Sequence, residues 1–186
     1  MKRRVSVVEN AYRASVYSSD LATLFEDPIN SYTEFVEHGG QKKLLVSGAT
    51  SQQLKKICQH LPDNPDIERI HLFNASADEN SFVRLIKALQ ALRPAKFSTL
   101  DLHNNRLSTN VLFLAFQEPL PFSCIDFSFN AITHIPEFPP IHSAPPLTVY
   151  LDNIPRIEYL ERLFIQLPSL IYCSLSGNRL ESAHIE

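Results

Sequence analysis

Apolar residues recur along this chain in one phrase: two apolar positions separated by a single residue, two further residues, an asparagine, and a last apolar position two beyond it. Three segments carry it closely: Leu100-x-Leu102-x-x-Asn105-x-Leu107, Ile125-x-Phe127-x-x-Asn130-x-Ile132 and Cys173-x-Leu175-x-x-Asn178-x-Leu180. Three weaker copies share the register: Leu147-x-Val149-x-x-Asp152-x-Ile154, Ile70-x-Leu72-x-x-Ala75 and Leu44-x-Val46-x-x-Ala49. The first apolar positions fall at 44, 70, 100, 125, 147 and 173, in steps of 26, 30, 25, 22 and 26. Most of these steps lie in the range of roughly 20 to 29 residues of one known class of structural repeat.

Apolar residues two apart share one side of a short strand, so each copy predicts a strand with one face in a core and the other outside. The asparagine stands where the chain turns out of the strand, and there it offers both a donor and an acceptor to the backbone. Another apolar anchor lies three residues earlier in four copies, at Ile67, Phe97, Phe122 and Leu170. Six parallel strands are therefore expected, starting near residues 43, 69, 99, 124, 146 and 172.

Between them the spacing changes from two to three and four, the period of an amphipathic helix. Gln52–His60 puts Leu54, Ile57 and the following Leu61 on one side, and Glu79–Leu92 does the same with Phe82, Leu85, Ile86 and Leu89. Val111–Phe116 and Glu158–Leu167 are two more helical stretches, the second using Leu160, Leu163 and Phe164. The connector from Ile132 to Leu147 carries Pro136, Pro139, Pro140, Pro145 and Pro146, which rule out an ordinary helix and predict an extended path. Residues 1–40 lie outside the repeat. A capped helix is expected from Ser19-Asp20, broken near Pro28 and stopped at Gly39-Gly40, as an N-terminal cap on a domain spanning 41–186. Residues 1–18 are expected to be partly disordered.

With 186 residues the chain can bury one full core without disulfides or a metal. Its 17 Lys and Arg against 20 Asp and Glu leave a charge of −3, so it lacks the positive field that nucleic acid requires. Cys58, Cys124 and Cys173 have no paired spacing and suggest neither a disulfide framework nor a zinc knuckle, which fits a reducing, cytoplasmic setting. Lys2, Arg3 and Arg4 are followed by too short an apolar stretch for a signal peptide, and they read as solvated charges rather than a membrane anchor. Phosphate-binding, dinucleotide, zinc-protease and serine-hydrolase motifs are all missing, and no cofactor or metal is expected.

The segments LDLHNNRL, IDFSFNAI and CSLSGNRL resemble the leucine-rich-repeat family over residues 41–186. The resemblance implies an α/β solenoid, or horseshoe, whose parallel sheet lines a concave face used to bind another protein. The irregular steps and helical connectors are also similar in texture to the small leucine-rich-repeat effectors that Legionella injects into host cells. That likeness implies translocation into the host cytosol without a signal peptide. It also implies a partner that is either a host protein or another effector enzyme whose active site is masked. Cys124-Ile125-Asp126 matches a C-x-D element of bacterial leucine-rich-repeat ubiquitin ligases, but there the element sits in a separate helical domain, so the match is read as chance.

In this register the outward positions form columns across the sheet. Arg69, His71, Phe73, Asp101, His103 and Asp126 fall on the earlier strands, and Phe129, Tyr150, Leu151 and Tyr172 on the later ones. Aromatics beside a few charges are the composition of a protein-binding hot spot, and these ten residues are the expected contact set of a chain that is monomeric when free. A cysteine-dependent enzyme using Cys124, His103 and Asp101 is the rival reading. An open sheet with 4 glycines in the whole chain offers little of the oxyanion site and closed pocket it would need. After the sixth copy only ESAHIE follows in the sequence, so Leu175 and Leu180 should be partly uncovered unless the tail folds back, the native protein continues, or a partner or second copy covers them.

Overall fold

A computed structural model describes residues 32–38, 41–65, 67–92, 97–118, 120–140 and 146–180. Its seven strands are β1 (Tyr32–His38), β2 (Gln41–Ser47), β3 (Ile67–Phe73), β4 (Thr99–Asp101), β5 (Cys124–Asp126), β6 (Leu147–Tyr150) and β7 (Leu170–Ser174). They lie in one sheet in chain order. The six strands from β2 to β7 are mutually parallel, and β1 pairs antiparallel with β2. Four helices alternate with the parallel strands: α1 (Ser51–His60), α2 (Glu79–Ala91), α3 (Thr109–Gln117) and α4 (Glu161–Gln166). The protein is thus an α/β fold built on a six-strand parallel sheet. Among the described residues no helix is long and apolar enough to cross a membrane.

The two-residue alternation becomes the core. Leu44 and Val46, Ile70 and Leu72, Leu100 and Leu102, Ile125 and Phe127, and Val149 and Leu151 are all at most 2% exposed. Against them pack Leu54 and Ile57 of α1, Phe82, Leu85, Ile86 and Leu89 of α2, and Val111, Leu112, Ala115 and Phe116 of α3. Burying each large side chain is worth about 1.5–3 kcal/mol, which is what holds strands of only three residues in a sheet. The helix starts are set locally. Thr50 and Gln53 form a reciprocal capping box on α1, and Asp78 and Ser108 accept from the first-turn N–H groups of α2 and α3.

The asparagines join neighbouring strand units. Asn130 donates through Nδ2 to the carbonyls of Leu102 and Phe127, and its Oδ1 accepts from the N–H groups of Asn105 and Leu107. Asn105 does the same one unit earlier, donating to Leu72 and Leu102 and accepting from Ala75. Asn178 spans to the unit before it through Leu151 and Ile154.

Three expectations are corrected. First, part of the helix expected between Ser19 and Gly40 is a strand: Tyr32–His38 forms β1, from Tyr32 opposite Ser47 to His38 opposite Gln41. Tyr, Thr, Phe and Val favour a pleated strand, Gly-Gly between two runs is a hairpin signal, and the edge of β2 offers a full row of backbone partners. The other residues of the expected cap, 1–31 and 39–40, lie outside the described residues.

Second, the fifth strand is in register two residues later than expected, with Val149, not Leu147, opposite Ile125 and Cys173. The steps become 24 and 24 where 22 and 26 were expected. Leu151 consequently points into the core instead of out of it. A two-residue slip preserves the alternation of faces, so the pattern of apolar residues alone does not discriminate between the registers.

Third, the last helix covers only Glu161–Gln166, because Glu158 is bridged to His134 and Tyr159 holds a left-handed φ of 57°. Phe164, expected on its inner face, is exposed. The proline-bearing connector is free of helix in its described residues and drives Ile135 and Phe138 into the core.

Candidate functional site

The face of the sheet turned away from the core brings most of the expected contact residues together. His71, Asp101 and Asp126 stand side by side on β3, β4 and β5, and Tyr150 follows opposite Asp126. The row beside it runs Arg69, Thr99, Cys124, Thr148 and Tyr172. On the other flank Phe73 stacks on the His103 ring, with centroids 5.3 Å apart and planes 6° from parallel. Of the ten expected residues, Leu151 is buried in the core and Phe129 is exposed in the turn after β5. Asp152, which sequence reasoning had put at the asparagine position, takes a place near Ser174 and accepts from its hydroxyl at 2.6 Å.

A signal for the correct register was present in the sequence. The residues that follow the strands, Gly48, Asn74, Asn104, Phe129, Asn153 and Gly177, all adopt left-handed φ between 54° and 74°. Glycine and asparagine tolerate that conformation at little cost, so the run Gly, Asn, Asn, Phe, Asn, Gly selects Asn153 over Leu151 for the fifth strand. Phe129 is the exception, a bulky residue in a strained conformation and 54% exposed.

At the centre of the early strands, Asp101 accepts from His71 Nδ1 at 3.0 Å, from His103 Nδ1 at 2.7 Å and from the His103 N–H at 3.0 Å. Burial works against its charge, yet the hydrogen bonds from the two histidines and the backbone outweigh that and hold the carboxyl well below the usual carboxylate range. An ionised carboxylate can only accept, so both rings carry their proton on Nδ1. The bond to Asp101, opposed by burial and helped by the charges of Asp101 and Asp126, pushes His103 upward. Asp126 fixes the next turn by accepting from the Ser128 N–H at 2.8 Å.

Asp101, His103 and Asp126 each offer a ligand atom within 4.8 Å of the others, a span that could hold a divalent cation. Both oxygens of Asp101 are already engaged by histidines, however, and the Nδ1 of His103 is committed to that carboxylate. The Cys124 thiol is pushed up by burial and by the charges of Asp126 and Asp101, so it is a weak nucleophile at neutral pH.

No family model and no curated protein sequence matches the chain. Its chemistry must be read from its own residues. The face divides into two zones: Arg69, His71, Asp101 and His103 form a polar half, while Tyr150 and Tyr172, with ring centroids 5.8 Å apart, form an aromatic half; Phe129 is exposed in the turn that follows β5. The polar half can orient a partner through charged and hydrogen-bonding groups, and the aromatic half can supply buried area.

Proposed function

We propose that the chain is a leucine-rich-repeat solenoid that binds another protein through the concave face of its sheet. The solenoid reading is supported by the asparagines that tie neighbouring strand units together and by the left-handed residue recurring after six consecutive parallel strands. The binding reading is carried by one observation: Phe129 keeps an exposed aromatic ring at a strained position that five other strands fill with glycine or asparagine. Strain kept at an exposed side chain points to a use for that side chain. Tyr150 and Tyr172 on the outward face of the sheet add apolar surface, and the weakly acidic Cys124 argues for binding over nucleophilic catalysis.

The partner in this proposal is a host protein or an enzyme whose active site the face would cover. Affinity capture with the wild type identifies it, and the affinity is then measured for Phe129→Ala combined with Tyr150→Ala. Each aromatic at the centre of such an interface is worth on the order of 2 kcal/mol, so the double variant should bind at least a hundredfold more weakly. Cys124→Ala should bind as the wild type does. Unchanged affinity in the double variant refutes the face as the binding surface.

A further inference from the structure

Among the described residues, one edge of the sheet is covered and the other is not. At β2 the outer edge is covered by the antiparallel β1, whereas among the described residues no strand follows β7. The core shows the difference. In the five units before β7 the two inward residues of each strand are buried, yet their counterparts Cys173 and Leu175 are only partly so, and Leu180 is likewise. Four of the exposed large apolar side chains lie in this one stretch: Phe164, Ile165, Ile171 at 71% and Tyr172 at 53%.

The edge also lacks the usual protection. Natural edge strands carry lysines or other charges that prevent pairing with a second chain. From Leu163 to Asn178 the sequence LFIQLPSLIYCSLSGN contains no charged residue at all. The Ser174 carbonyl accepts from the Leu151 N–H, so Ser174 faces β6 and strand alternation turns the N–H and C=O of Cys173 outward. These groups sit on the open edge with no charge to repel an identical strand.

We propose that a second copy of this chain closes the end, the two β7 strands pairing antiparallel about a two-fold axis. Backbone pairing of a five-residue strand buries too little on its own, so the exposed side chains it carries at Ile171 and Tyr172 must add their area for the contact to approach the roughly 1,000 Å² that a specific interface needs. Such a pair is isologous, each surface meeting its own copy, and it makes one sheet of fourteen strands from two of seven. A two-fold axis normal to the sheet keeps both outward faces on the same side, so Tyr150 and Tyr172 of each copy would form one continuous aromatic strip. The proposal uses the edge of the sheet and does not depend on what the face binds.

Sedimentation velocity over a concentration series tests it, with two variants chosen to spare the fold. Tyr172→Lys places a charge beside its own copy at an already exposed position. Cys173→Pro removes the outward N–H, which the sheet of one copy does not use. A reversible dimer is expected for the wild type, with its dissociation constant raised at least tenfold in both variants while the far-ultraviolet circular dichroism is unchanged. A wild type that stays monomeric at every concentration overturns the proposal, whether another part of the chain or a different protein covers β7. So does a dimer that neither variant weakens, since it would use another surface.

Discussion

Replacing Phe129 by alanine and, separately, by glycine measures the strain stored in the turn after β5. Both changes remove the same ring, which is more than half exposed, so the packing lost is shared and cancels in the comparison. What differs is the backbone. At a φ of 58° an L-residue with a Cβ pays about 1–2 kcal/mol that glycine does not. Glycine in turn loses about 0.4–1 kcal/mol more than alanine because its unfolded chain is freer. The difference leaves glycine ahead by about 0.5–1 kcal/mol, equivalent to a melting temperature higher by roughly 1–4 °C in a chain of this size. Phe73 is the control, since its φ is not positive and it is the last residue of β3; there alanine should exceed glycine. Urea denaturation of the four variants reads the ordering directly. If alanine equals or exceeds glycine at position 129, Phe129 is not strained, and the inference that its ring is retained for contact loses its ground.

Asn130→Ala should cost about 3 kcal/mol or more by urea denaturation, because it strands the buried N–H groups of Asn105 and Leu107 at about 1–3 kcal/mol each. A loss below 1 kcal/mol would mean that the asparagines decorate the turns without holding them. The histidine and aspartate network makes a pH prediction whose two halves have opposite sign. Asp101 has a lowered pKa in the fold, so its contribution is present above the unfolded value of about 3.9 and is lost as pH falls through the folded value. His103 has a raised pKa, so its contribution is present below the unfolded value of about 6.5 and is lost as pH rises through the folded one. The stability lost in His103→Gln should therefore be larger near pH 5.5 than near pH 8.5, and the proton titration of His103 should move down in Asp101→Asn; a constant loss across that range would refute the coupling.

Much of the architecture was legible in the chain because its physics is local. Apolar residues two apart, repeated about every 25 residues with an asparagine at one offset, determine strands with one buried face and a hydrogen-bonding device at each exit. The caps at Thr50, Asp78 and Ser108 are likewise short-range, and α1 to α3 lie where periodicity placed them. His71, Asp101, His103 and Phe73 could be put on one face from the same register. Three features depended on the whole fold. The residues of Tyr32–His38 favour a strand locally, but the partner that makes them one, the edge of β2, exists only in the fold. Residues 147–154 admit two alternating registers that bury equally apolar side chains; Asn153 at the left-handed position favours one of them, and pairing on both sides with Ile125 and Cys173 fixed Val149 in it, moving Leu151 inward and Asp152 outward. The strain at Phe129 also belongs to the tertiary structure. A phenylalanine alone would avoid a left-handed backbone, and it is held there by the bonds its neighbours make, the Phe129 N–H to Asp152 on one side and the Asn130 side chain to Leu102 on the other.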